Sequence, residues 1–159
     1  MSERLTVTGS VAATPEAVFA VLADPSRHDQ IDGAGMLQGL VEGPPSITAV
    51  GQTFDMDMTQ DPFGDYRMRN TITEFDRDHR ITWAPNLHPP GSMAHLLGDL
   101  ETGGHVYSWV LTPNAAGGTD VEHFCDWSGC PDERFKGFFP RVQAEQMAAS
   151  IERVGKLAG

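Results

Sequence analysis

A chain of 159 residues and 17.3 kDa is long enough to bury one hydrophobic core, and its 40% hydrophobic and 21% charged residues are those of an ordinary globular protein. Its 22 acidic and 11 basic residues leave a formal charge of -11, with only two lysines, Lys136 and Lys156, so no cationic face is available for nucleic acid or an anionic membrane. The first residues, "MSERLTVTGSVAATPEAVFAVL", never make the unbroken apolar run of a signal peptide or membrane span, which predicts a cytoplasmic protein without membrane insertion. Two cysteines, Cys125 and Cys130, cannot define a disulfide framework, and their reduced form is expected.

"RLTVTGSVAA" (Arg4–Ala13) alternates through Leu5 and Val7 and predicts a first strand. Thr14 as N-cap and Pro15 at the first helical position open a helix with an apolar face at Ala17, Val18, Val21 and Leu22. Asp24 and Pro25 start a second short helix, and a glycine-rich turn leads into a strand at Met36–Glu42. "QTFDMDMTQ" puts Phe54, Met56 and Met58 on one face and Asp55 and Asp57 on a wet face. "DPFG" turns the chain into "DYRMRNTITEF", where Tyr66, Met68, Asn70 and Ile72 read as the inner set and Arg67 and Arg69 as solvated partners of nearby carboxylates.

"HRITWAP" follows the polar turn "DRDH" and carries Trp83. After the loop "NLHPPGSMA", the segments "HLLGDLE" and "HVYSWVLTP" are expected to be extended, and "NAAGG" turns into the strand "TDVEHFCDWSG". A terminal helix holds Met147, Ala149, Ile151, Val154 and Leu157 on one stripe, with Pro140 marking either a kink or its true start. Hairpin-length links exclude βαβ units, so the fold class is α+β: an antiparallel sheet packed by one long helix.

Histidine, cysteine and aromatic residues are densest in "GHVYSWVLTPNAAGGTDVEHFCDWSGC" (Gly104–Cys130). If Trp109 faces Val121, then Tyr107 faces His123 and His105 faces Cys125, which gathers three potential zinc ligands on one face. That face is otherwise aromatic and apolar, and no metal is expected. No "GxSxG" elbow or oxyanion hole accompanies Cys125, which reads as a small buried residue. No glycine-rich loop joins a strand to a helix, so no dinucleotide and no other cofactor is expected.

Rich in Met, Trp, Tyr and His, the inner strand faces predict a pocket. Phe54, Met56, Tyr66, Met68, Asn70 and Trp83 form one side of it. His105, Tyr107, Trp109 and His123 form another, closed by Phe138 and Val142. His123 and Tyr107 are the candidate catalytic pair, moving a proton beside an enolate if His123 keeps its ordinary pKa in a partly wet cavity.

"VTGSVAATPEAVFAVLADPSRHDQIDG", "GGTDVEH" (Gly117–His123) and "FPRVQAEQMAASIERVGKLA" resemble the opening, late-strand signature and closing helix of the START-like, polyketide cyclase/dehydrase-like superfamily (SRPBCC, Bet v 1-like). Ile31 stands near where that superfamily often has Trp. The resemblance implies a helix-grip fold: about six to seven antiparallel strands around the C-terminal helix, with two short helices after the first strand. It implies that residues 1–159 make a single domain with a small, largely apolar partner, aromatic or polyketide-like, and that any enzymatic activity is non-covalent cyclase or dehydratase chemistry. A pure carrier and a co-chaperone-activator-like interaction module are the alternatives, and the oligomeric state, monomer or homodimer, stays open.

Overall fold

The computed structural model describes residues 2–159. One antiparallel sheet has the order β1-β7-β6-β5-β4-β3-β2. Its strands are β1 (Arg4–Val11), β2 (Leu37–Glu42), β3 (Thr53–Gln60), β4 (Gly64–Asp76), β5 (Arg80–Leu87), β6 (Val106–Pro113) and β7 (Thr119–Asp126). Consecutive strands from β2 to β7 are neighbours, the β5–β6 link carrying a short helix, whereas β1 and β2 sit at opposite edges. The chain between them crosses the end of the sheet as α1 (Pro15–Leu22), a 3-10 turn (Pro25–Arg27) and α2 (His28–Ile31).

Local chemistry sets these boundaries. The Thr14 hydroxyl accepts from the Ala17 amide at 3.3 Å, and the Asp24 carboxylate accepts from the Ser26 amide at 3.1 Å, each filling a helical start that lacks an internal partner. Two four-residue helices, α3 (Ala94–Leu97) and α4 (Glu133–Lys136), punctuate the second half. The last helix, α5 (Ala144–Ala158), begins beyond Pro140, where the Gln143 amide donates to Gln146 Oε1 at 2.8 Å in a capping box. Pro140 therefore precedes the helix and does not kink it.

Helix α5 turns Met147, Ser150, Ile151 and Val154 inward, against β1, α1 and α2, and the sheet grips it. Gly155 makes this approach possible: a Cβ there would stand 2.6 Å from Val11 Cγ1. Phe19, Leu22, Ile81, Leu111, Val121 and Val154, none more than 2% exposed, fill the space between α1, α5 and the middle of the sheet. The result is the helix-grip architecture.

On the outer face Arg67 pairs with Asp57 and Arg69 with Asp55, both at 2.8 Å. Asp55 is not the wet residue that alternation predicts. The Arg69 guanidinium covers it with two hydrogen bonds, leaves it buried and holds its carboxyl below the usual carboxylate range.

Two other expectations need correction. "HLLGDLE" is not extended: it contains α3, stopped by Gly98 at φ 62°, and Gly103 and Gly104 at φ 92° and 94° keep the chain irregular until Val106. Gly104 is also packed where a Cβ would meet Gly129 O and Cys130 Cα at 2.6 Å, so this loop closes on the turn that follows β7. The β6–β7 register differs by two residues: Trp109 faces His123, Tyr107 faces Cys125 and Leu111 faces Val121. The cause is the loop. Asn114 Oδ1 accepts from the amides of Ala116 and Gly118 at 3.1 and 3.0 Å, favouring a five-residue connection between Pro113 and Thr119 over a shorter one. An even shift keeps every side chain on its face and changes only its partner.

Candidate ligand cavity

Paired registers carry the inner faces into one continuous wall. Phe54 lies opposite Asn70, Met56 opposite Met68 and Met58 opposite Tyr66 between β3 and β4. Trp83 on β5 lies opposite Tyr107 on β6, and Trp109 opposite His123. This wall does not reach α5 along its whole length. Beyond the filled core the strands, α2, the chain before α5 and the loop around α3 enclose a cavity of about 210 Å³. Phe54, Met56, Tyr66, Met68, Asn70, Trp83, His105, Tyr107, Trp109, His123, Phe138 and Val142 all border it.

His123 is stacked on the Trp109 ring at 3.8 Å between centroids and 16° between planes. Its Nδ1 lies 2.9 Å from the Ser108 carbonyl, which can only accept, so Nδ1 carries the proton and Nε2 holds the lone pair. Burial pushes its pKa down to about 4. The ordinary pKa expected for a partly wet site is therefore overturned: solvent cannot reach the ring well enough to stabilise an imidazolium. Asn70 Nδ2 donates to the Phe54 carbonyl at 3.3 Å.

Tyr107 is half-buried, and desolvation, reinforced by the neighbouring Cys125 thiol, pushes its phenol well above the ordinary value. Burial also raises the Cys125 thiol to about 12, so it is no ready nucleophile. His105 is different from both. It sits against Phe139 at 4.7 Å, with Phe135 and Tyr107 also around the ring, and its pKa is pushed down to about 4 by burial. Among the described residues its Nδ1 has no hydrogen-bond partner. A buried polar atom without a partner costs about 1–3 kcal/mol.

Among the described residues, no three His, Cys, Asp or Glu side chains converge as metal ligands. His105, His123 and Cys125 are spread along the wall by the true register, with Tyr107 facing Cys125.

Sequence reasoning missed His28. It is buried, stacked on Trp83 at 5.0 Å and edge-on to Phe54 at 5.1 Å, with Nε2 held 2.7 Å from the Leu22 carbonyl. Nothing in a short polar helix start marks such a residue as cavity wall. The aromatic cluster in "ERFKGFFPRV" was a usable signal: Phe135 and Phe139 border the cavity as Phe138 does, and Phe138 stacks on Phe63 from the β3–β4 turn at 6.1 Å. Arg141 was also missed. It borders the cavity with its guanidinium 5.4 Å from the centre of the Phe63 ring.

The architecture defines the class, a helix-grip protein with an internal cavity. Residues 2–159 match the family model for polyketide cyclase / dehydrase and lipid transport, and the chain belongs to that family. It is 33% identical over 89 residues to "Uncharacterized protein Rv0088" of Mycobacterium tuberculosis (strain ATCC 25618 / H37Rv); the match covers 55% of this chain and 37% of that protein. Its fold is similar to that of protein Ms6760 from Mycobacterium smegmatis, with a TM-score of 0.69, 16% identity and coverage of 98% and 90% of the two chains. It is similar also to the di-domain ARO/CYC StfQ from the steffimycin biosynthetic pathway, with a TM-score of 0.64, 16% identity, and 98% of this chain on 50% of that one. Among the described residues no helix is long and apolar enough to cross a membrane.

Proposed function

We propose that the chain binds a small, largely apolar molecule, aromatic or polyketide-like, in this cavity. The observation that carries the reading is the lining itself: aromatic rings and thioethers face an unfilled space with few polar atoms. Residues 1–159 act in this reading as one ligand-binding domain in the cytoplasm. A naphthylamine-sized probe losing about 300 Å² of apolar surface gains roughly 7 kcal/mol at about 25 cal/mol per Å². The cost of association, about 4 kcal/mol or more, offsets over half of this, so saturable binding in roughly the millimolar range or somewhat tighter is expected.

The test is fluorescence titration with N-phenyl-1-naphthylamine. The wild type should bind one molecule, and Val142→Trp, which plugs the lining, should lose at least about tenfold in affinity. Equal binding by both proteins would place the probe elsewhere and overturn the reading.

A second reading, non-covalent cyclase or dehydratase chemistry, is favoured by the fold shared with an ARO/CYC protein. The wall would then hold a folded reactive conformer, with His123 and Tyr107 as neutral hydrogen-bonding groups. Replacing each separately distinguishes the two: His123→Ala and Tyr107→Phe leave a carrier's affinity largely intact but remove an enzyme's turnover.

A further inference from the structure

The cavity is lined mainly by apolar and aromatic side chains, and Arg141 borders it from the segment just before α5. Of the groups around the cavity that can carry charge, the three histidines His28, His105 and His123 are buried, and Arg141 is the one cation. Among the described residues it pairs with no carboxylate, although the chain carries twice as many acidic as basic side chains. Asp32 also borders the cavity, but its two oxygens accept from the amides of Ala34, Met36 and Leu37 at 3.0, 2.6 and 2.8 Å and are committed to that turn.

Neutral groups position Arg141. With the Gln60 amide oriented to suit both neighbours, its oxygen accepts from Arg141 Nε and Nη2, and its nitrogen donates to Tyr66 Oη at 3.1 Å. The Phe63 ring lies 5.4 Å from the guanidinium carbon. Gln60 takes one N–H from each of two nitrogens, leaving three of the five guanidinium donors unused. A half-buried guanidinium with spare donors at the rim of an apolar chamber is a receptor for one planar anion. The net charge of -11 opposes anions only at long range, where salt screens it within about 8 Å.

We propose that the cavity takes an amphiphilic carboxylic acid, its apolar body against the aromatic wall and its carboxylate on Arg141. This rests on the binding reading above and narrows its ligand class. One guanidinium and a dry surround suit a monoanion better than a multiply charged phosphate, which would bring unneutralised charge to the rim.

The experiment is displacement of N-phenyl-1-naphthylamine at pH 7.5 by decanoate and by decan-1-ol, which share a ten-carbon body and differ in the head group. In the wild type decanoate should compete about tenfold better than the alcohol. In Arg141→Gln the ratio should fall to about one, and Arg141→Lys should restore part of it. An unchanged ratio in Arg141→Gln, or an alcohol that competes as well as the acid in the wild type, overturns the carboxylate assignment while leaving the cavity reading in place. A wild type that does not bind the dye at all brings down the binding reading, and this inference with it.

Discussion

The two halves of the sheet's inner face are built from the same strands and have opposite contents. Near α1 and the C-terminal part of α5 the wall is Ile81, Leu111 and Val121, all at 2% exposure or less, packed against Val154 of the helix. Toward α2 and the chain before α5 it is Phe54, Trp83, Tyr107, His123 and the methionines, and it faces an unfilled space. Branched aliphatic side chains interdigitate and close a gap; flat rings that stack on one another, as His123 does on Trp109 and His28 on Trp83, brace a wall without filling what lies before it. Branched aliphatics dominate the strands in the filled half, and rings and thioethers dominate them in the hollow one.

The largest test of that contrast is truncation in the filled half. Leu111→Ala should cost about 3 kcal/mol, because the fully buried site cannot collapse, and Met68→Ala beside the existing cavity should cost less than half as much. Urea denaturation of both variants checks this, and equal losses would erase the distinction between the halves.

A smaller effect comes from protons. His105 and His123 have folded pKa values near 4 against 6.5 for an exposed imidazole, because burial disfavours the charged ring. The unfolded chain then binds more protons as pH falls, so stability is full above about 6.5 and is lost between 6.5 and 4. Each ring should contribute about 2 kcal/mol of loss between pH 7 and pH 5. Thermal melts of the wild type and His123→Gln should diverge in slope over that range, the variant being flatter; parallel profiles would mean that His123 is protonated freely in the fold.

The smallest effect is expected on the outer face. Arg67 and Asp57 form an exposed pair, and Arg67→Ala should leave the melting temperature unchanged within error.

Much of this was legible in the sequence. Strict alternation in "QTFDMDMTQ" and "DYRMRNTITEF" put the right side chains on the inner face, because a period of two has only one alternative and that one would bury two arginines. Thr14-Pro15 and Asp24-Pro25 marked both helical starts. What failed depends on side chains meeting across the chain. The β6–β7 register was decided by Asn114 folding back on its own loop, a choice that strand periodicity does not encode. His28 and Arg141 escaped notice because one lies in a four-residue helix and the other in an irregular stretch, both too short for a repeat to tell which way a side chain points. The depressed pKa of His123 likewise follows from enclosure, which spacing along one strand cannot report.

Calorimetric titration of 1-naphthol at several temperatures tests most directly whether the hollow half is an apolar binding chamber. Burial of apolar surface in the cavity predicts 1:1 binding with a clearly negative heat-capacity change, absent in Val142→Trp. No saturable heat in the wild type, or the same heat-capacity change in the plugged variant, would contradict it.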